Sequence, residues 1–562
     1  MKKQFLLAFG LASMLLAGCS DSDNVADGGN TPDPNATGYL SLKVALPSTS
    51  GYDGRAATDA TDQSNDQEYH GVAKEYNVQT IDLVCFDASN KVVKNIPLTD
   101  AELGWSTPST PDNPTEGITT EKVLPVQEVP STVTSVLVLV NKPALTITEG
   151  TTTFDDLYAQ TLASSVDLVG ATKDEFFMTN SPLSNGTDST LLVKVQTQKT
   201  QAAAIADTRV VNVERAVGKV SLSHVTGGSW DGTYENWKYT LSSAGYTSDK
   251  VKFDKWILDN TNTKTYVIRH YNTAWESRTN AIGQRFRSIT NNYEGSQGVM
   301  MARTYWAQDP NYNTEETLNA AGSIDGAMND PQYCFENTFD VKHMKGSNTT
   351  RVLLEATYTP TGFTSGDTWY RVGEAITAHN ATYINTLITN ALKDAGLGAL
   401  APVTVNEATL VAGKNDIAEG ILTGLTEANK TDQIKAIKNA LGSITAFKNG
   451  KCYYEVRVQH FGKKYTPWGE ETGAPSVGGG GEKFYDYTSF ADSELGTMED
   501  NYLGRYGIVR NNWYDLQLGE IKAPGSPTKP DLSDKADDEQ KYYIQATVKI
   551  MDWAVRKQTV DL

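Results

Sequence analysis

The sequence predicts a mainly β protein: two β-sandwich domains in tandem, the second with a helical insertion. Three observations carry this. Short apolar runs rich in Val, Ile, Leu, Tyr and Phe recur along most of the chain, with turn residues between them. Several of these runs alternate apolar and polar residues with a period of two, the mark of a half-buried strand. Apolar residues at extended helical spacing are concentrated in one stretch, 372–447. The chain has 562 residues, enough for roughly three or four domains of ordinary size or two large ones.

At the amino terminus, Lys2 and Lys3 precede the apolar run Phe5 to Leu16, which is too short to cross a bilayer as a stable helix. The run ends in Leu16-Ala17-Gly18-Cys19, small residues directly before a cysteine, and resembles a bacterial lipobox. Residues 1–19 therefore read as a lipoprotein signal ending at Cys19, with palmitate among the acyl chains on its thiol. Several chains anchor a protein where one does not. Ser20 after the cysteine suits outer-membrane sorting. Residues 20–37 are acidic and rich in Gly and Pro, a flexible tether.

The first strand follows. Leu40, Leu42, Val44 and Leu46 share one face, and Ser41 and Lys43 are expected on the other. Residues 47–76 turn polar and read as an exposed loop. It holds Arg55, the first arginine of the chain, in Gly54-Arg55-Ala56; the next arginine is Arg209. From 77 to 212, strand signals recur in TIDLVCFD, KVVKNIPL, KVLPVQEV, SVLVLVN, EFFMTN, TLLVKVQT and RVVNVER, with one short helix expected over Tyr158 to Val166. A second series, GKVSLSHV, KWILDN, KTYVIRH, RVLLEATYTP, CYYEVRVQHF and NNWYDLQLGEI, predicts the second domain over 213–522. Within it, Tyr383, Ile384, Leu387, Ile388, Ala391 and Leu392 form one helical stripe, and Ile434, Ile437, Leu441 and Ile444 another. Residues 523–541, with Pro524, Pro527, Pro530 and a charge run, read as a stiff, solvated hinge. The last segment, 542–562, alternates through Tyr542, Ile544, Ala546, Val548 and Ile550, then shifts phase to Trp553 and Val555, which predicts a bulge near Asp552.

Composition excludes several functions. Lys+Arg is 49 and Asp+Glu is 68, a net charge of −19, so nucleic acid is not an expected partner. The four cysteines do not make a disulfide scaffold; with Cys19 lipidated, Cys85, Cys334 and Cys452 are expected as buried free thiols. The six histidines are scattered, and neither a metal site nor a cofactor is expected. HExxH, GxSxG and Walker A motifs are absent, and Gly478 to Lys483 lacks P-loop spacing. The acidic pairs Asp155/Asp156 and Asp537/Asp538 read as solvated surface, so no enzyme is predicted.

The order of several segments resembles the Bacteroidales type V fimbrial subunits, the fimbrillins, most closely the short-fimbria major subunit. Val138 to Lys142, Phe177 to Asn180, Val213 to Val217, Tyr333 to Thr338, Leu353 to Pro360, Val509 to Tyr514 and Val548 to Leu562 carry the resemblance. It implies transthyretin-like sandwiches and export as an outer-membrane lipoprotein. It also implies maturation by a protease that cuts between Arg55 and Ala56, removing 20–55 as tether, first strand and propeptide and leaving 56–212 as the first domain. The mature subunit would polymerise into a pilus stalk serving cell adhesion, biofilm formation and virulence. Expected partners are identical subunits, anchor and tip subunits, the protease, and host or bacterial surface receptors. In this reading Leu40, Leu42, Val44 and Leu46 leave with the anchor. A neighbour's donor strand, Ile544, Ala546, Val548, Ile550, Trp553 and Val555, fills their groove. An accessory or tip subunit and a glycan-binding outer-membrane lipoprotein are the alternatives.

Overall fold

Val, Ile, Leu and Phe at alternating positions drive most of the strand formation. The computed structural model describes residues 36–46, 72–105, 121–163, 166–224, 229–231, 237–275, 286, 293–295, 299–314, 324–326, 328–373, 375–408, 410, 421–460, 503–532, 534, 546–551 and 554–555. Over these residues the chain is mainly β-sheet with few helices.

The first half gives β1 (Thr37–Leu40), β2 (Leu42–Ala45), β3 (Thr80–Phe86), β4 (Val92–Thr99), β5 (Glu121–Val123), β6 (Gln127–Pro130), β7 (Ser135–Val140), β8 (Met178–Asn180) and β9 (Arg209–Arg215). The order β4-β3-β7-β8-β9-β2-β5 forms one sheet, and β1 pairs separately with β6. All six residues of β7 are buried, as suits a central strand. The apolar run 122–129 divides into β5 and β6, with Pro125, which has no N–H for a ladder, in the gap.

The second half gives β10 (Gly218–His224), β11 (Lys238–Thr240), β12 (Lys250–Asp259), β13 (Gln332–Cys334), β14 (Arg351–Thr359), β15 (Trp369–Val372), β16 (Ile444–Phe447), β17 (Lys451–Arg457), β18 (Asn512–Leu518), β19 (Ala546–Met551) and β20 (Ala554–Val555). Two sheets, β13-β10-β18-β19 and β11-β12-β14-β17, share one core. Val220, Leu222, Tyr514 and Leu516 come from the first sheet; Phe253, Trp256, Leu354 and Tyr454 come from the second. Cys85, Cys334 and Cys452 are buried and free, and burial pushes each thiol up to about 12.

Several readings of the sequence need correction. The helix expected over Tyr158 to Val166 instead begins at Phe154 and ends at Tyr158. Thr153 and Asp156 form a reciprocal cap, Thr153 N donating to Asp156 Oδ2 at 2.8 Å and Asp156 N to Thr153 Oγ1 at 3.2 Å. The insertion expected at 372–447 contains α1 (Ala381–Asp394) and α2 (Lys430–Leu441), but Ile444 lies in a strand and Tyr383 is exposed. Pairing of β15 with β16 closes its base, where Trp369 and Phe447 stack at 3.8 Å. The division expected at 212/213 falls inside β9, whose register with β8 runs on through Arg215 opposite Met178. Finally, the solvated hinge at 523–541 is docked over its first part. Pro524, Gly525 and Pro527 are buried, Ser526 and Tyr453 exchange backbone bonds at 2.7 and 2.8 Å, and Arg351 donates to the Pro530 carbonyl at 2.7 Å.

The end of the loop expected at 47–76 is also packed. Residues Ala73–Tyr76 form a 3-10 turn in which Glu75 is fully buried. Lys219 on β10 lies 2.7 Å from Glu75 Oε1, and the Tyr333 hydroxyl on β13 donates to the same oxygen at 2.5 Å. Arg215 on β9 donates from Nε and Nη2 to the Glu75 carbonyl at 3.1 and 2.9 Å. Burial by itself raises the Glu75 carboxyl, but Lys219 and Arg215 outweigh it and hold the group below its ordinary value.

A carboxylate depressed in the fold stabilises above its unfolded pKa and loses that contribution as pH falls through its folded value. Acid unfolding followed from pH 7 downward should therefore show stability lost below the ordinary 4.5 of Glu75. Glu75→Gln should remove that part of the pH dependence. By leaving Lys219 buried without its counter-charge, it should also cost about 3–5 kcal/mol at pH 7, read by urea denaturation.

Candidate functional site

The two strands nearest the ends of the described chain form the candidate site. Residues 36–46 change sheet at Ser41. β1 runs antiparallel to β6, Leu40 opposite Gln127. β2 runs parallel to β9, Leu42 opposite Arg209 and Ala45 opposite Asn212, and antiparallel to β5, Lys43 opposite Val123 and Ala45 opposite Glu121. Leu40, Leu42, Val44 and Leu46 are each 3% exposed or less, and all four belong to the first core.

Ser41 does not face water as its alternation suggested. It is 1% exposed, because the change of sheet turns it inward as well. Its hydroxyl lies 2.8 Å from Thr208 Oγ1. Thr208 spends its own proton on the Ile205 carbonyl at 2.8 Å, so Ser41 is the donor. Lys43 stays half-exposed and reaches Glu121 Oε2 at 2.7 Å. Backbone bonds run from Arg209 N to Ser41 O at 3.1 Å and from Leu124 N to Leu42 O at 2.9 Å. At Gly38, an added Cβ would lie 2.8 Å from Thr197 Cβ, so only glycine fits there.

At the other end, β19 runs antiparallel to β18, with Met551 opposite Trp513, Ile550 opposite Tyr514 and Val548 opposite Leu516. Ala546, Val548 and Ile550 thus lie in a strand paired with β18 of the chain's own second half. Val555 lies in β20, whose Ala554 stands parallel to Asn512. Cys19, Arg55, Ala56, Ile544 and Trp553 lie outside the described residues, as do Asp552, Asp537/Asp538 and the loop 478–483. The two strands are not in contact with one another in the sheet pairings described.

Other residues weighed for chemistry have structural partners. His460 is buried, with Nδ1 2.7 Å from the Tyr514 hydroxyl and Nε2 2.7 Å from the Tyr305 carbonyl. Asp156 caps the helix at Phe154. Among the described residues no group of three His, Cys, Asp or Glu is placed to hold a metal ion. No described helix is long and apolar enough to cross a membrane. The contacts of Ser41 with Thr208 and Lys43 with Glu121 were not legible in sequence, since both partners are distant along the chain and of common type.

Residues 480–559 match the family model described as "Major fimbrial subunit protein type IV, Fimbrillin, C-terminal". The match supports the resemblance to the fimbrillins and the reading of the chain as a fimbrial subunit. No curated protein matches the chain. Solved structures similar to it include a fimbrilin (fimA) from Porphyromonas gingivalis W83, 13% identical over 92% of this chain and 99% of that one, TM-score 0.35. Another is the tip fimbrial protein Mfa3 from Porphyromonas gingivalis with C-terminal truncation, 11% identical over 92% and 100%, TM-score 0.32. A fimbrial assembly protein from Parabacteroides distasonis ATCC 8503 is 14% identical over 59% and 90%, TM-score 0.26.

Leu42, buried between β9 and β5, gives a direct test of how far the uncleaved chain relies on its first strands. Leu42→Ala should destabilise the full-length protein by about 2–5 kcal/mol, measured as a lower urea midpoint.

Proposed function

We propose that this chain is a structural subunit of an adhesive surface fimbria. In this reading it is exported as a lipoprotein anchored through Cys19, cut after Arg55 at the cell surface, and polymerised by donor-strand exchange through its C-terminal strand. One observation carries the proposal. Leu40, Leu42, Val44 and Leu46 fill the first core, yet all lie on the amino-terminal side of Arg55. A single cut in the following loop would sever this strand covalently from the core it fills.

Its departure uncovers apolar surface together with the ladder edges of β5 and β9. An open edge beside an apolar groove is a template for another chain's strand. The segment 542–562 has the alternation such a groove requires. Because donor and groove lie on different parts of one subunit, the contact is head-to-tail and propagates as an open fibre. Adhesion to host or bacterial surfaces, with anchor and tip subunits at the fibre ends, completes the reading.

Two variants test it. Arg55→Ala should leave unprocessed, lipid-bound monomer, detected by N-terminal sequencing and by loss of the SDS-resistant ladder from sheared cells. Deletion of 548–562 should leave processed subunits that fold but do not polymerise. Normal fibres from either variant would refute the mechanism.

A further inference from the structure

Residues 546–551 read Ala-Thr-Val-Lys-Ile-Met, and residues 40–45 read Leu-Ser-Leu-Lys-Val-Ala. Set side by side, aliphatic residues coincide at the first, third and fifth places. A hydroxyl coincides with a hydroxyl at the second, lysine with lysine at the fourth, and apolar with apolar at the sixth. The six residues are the whole of β19 on one side, and Leu40 to the end of β2 on the other.

Resting on the strand-exchange reading, the geometry points to one register. β19 of a second copy of this chain enters the seat of residues 40–45 with Ala546 in the place of Leu40 and Met551 in the place of Ala45. It runs parallel to β9 and antiparallel to β5, as β2 does. The incoming Thr547 takes the Ser41 position and donates its hydroxyl proton to Thr208 Oγ1, whose own proton is held by the Ile205 carbonyl. The incoming Lys549 takes the Lys43 position and meets Glu121. On the core face Ile550 in the Val44 place returns the volume that Val548 gives up in the Leu42 place, while Ala546 leaves the Leu40 place smaller.

The lysine decides the register. A slip of one residue either way turns Lys549 onto the Leu42 or Val44 position in the core. A slip of two keeps the faces but brings Lys549 to the Ser41 position, 1% exposed, or the Ala45 position, 5% exposed. Each of these buries an ammonium without a described counter-ion, a large cost. Only the unshifted register keeps it at a half-exposed place opposite a carboxylate. The ends of the seat are bounded too. Ile544 would fall on Gly38, where a Cβ meets Thr197, and Asp552 would fall on the buried Leu46 position. The exchanged ladder is therefore confined to 546–551, and the incoming chain leaves the groove on both sides.

The test uses full-length chains expressed on cells, with the SDS-resistant ladder as readout. Lys549→Glu leaves the Lys43–Glu121 contact of the precursor untouched, and should reduce the ladder about tenfold. Adding Glu121→Lys should restore it. Separately, Thr208→Cys with Thr547→Cys should give an intersubunit disulfide ladder under mild oxidation, whereas Thr208→Cys with Lys549→Cys should not. A ladder from the second cysteine pair, or failure of Glu121→Lys to rescue, would overturn the register while leaving strand exchange standing if deletion of 548–562 still abolishes fibres. Fibres that survive that deletion would remove the exchange itself and the register with it.

Discussion

Burial of four aliphatic side chains from residues 40–46 is the interaction on which the first core depends. Each fully buried Leu or Val contributes about 1.5–3 kcal/mol. Four such residues together approach the whole net stability of an ordinary domain, about 5–15 kcal/mol. The strand also holds β9 and β5 together, since β2 lies between them in the sheet order. A first core emptied of this strand is therefore an unstable species, and something must occupy the seat at every stage. On the proposed reading that requirement would link the fold to assembly, since a seat that cannot stay empty, once its strand was cut free, would favour capture of a replacement.

The junction around Glu75 ties the segment after the Arg55 loop to the rest of the molecule. Residues 73–76 follow the loop containing Arg55, and they stay tied through Lys219, Arg215 and Tyr333 to β10, β9 and β13. Two further buried pairs lie in the same region. Arg510 sits 2.8 Å from Glu336 and donates to the Tyr266 carbonyl at 2.7 Å, while Arg269 sits 2.9 Å from Glu214 on β9. Buried ion pairs add little net stability over apolar packing, but they penalise any arrangement that separates the partners. Glu75 with Lys219 and Glu214 with Arg269 join segments of the first half to segments of the second.

Strand identity was legible because burial writes itself into alternation: β3, β7, β14 and β18 match the apolar runs that predicted them. The face of the first strand was legible for Leu40, Leu42, Val44 and Leu46 and illegible for Ser41, because a strand that changes sheet buries both faces at the bend. The segment 523–530 misled for a different reason. Proline and charge usually mean solvent, but here Arg351 and Lys529 place their charges on carbonyl and carboxylate partners across β14 and β12. Nothing local to Glu75, Thr208 or Glu121 announces contacts made 78 to 258 residues away.

The sheet pairings also bear on the direction of the proposed exchange. Among the described residues, β19 sits at the end of its sheet and is hydrogen-bonded along its length to β18 alone. The seat of β2 offers two ladders, to β9 and to β5. A strand moving from the first place to the second exchanges a one-sided position for a two-sided one, and trades an edge for the middle of a sheet. While β1 and β2 hold the seat, that gain is closed off, and the C-terminal strand is best satisfied on its own sheet. In the proposed exchange, a cut that let them dissociate would give the same strand a second ladder on a neighbour and would refill most of that neighbour's core. On the proposed reading, a bias toward polymer would reside in the difference between two seats for one strand, and proteolysis would act by making the better seat vacant.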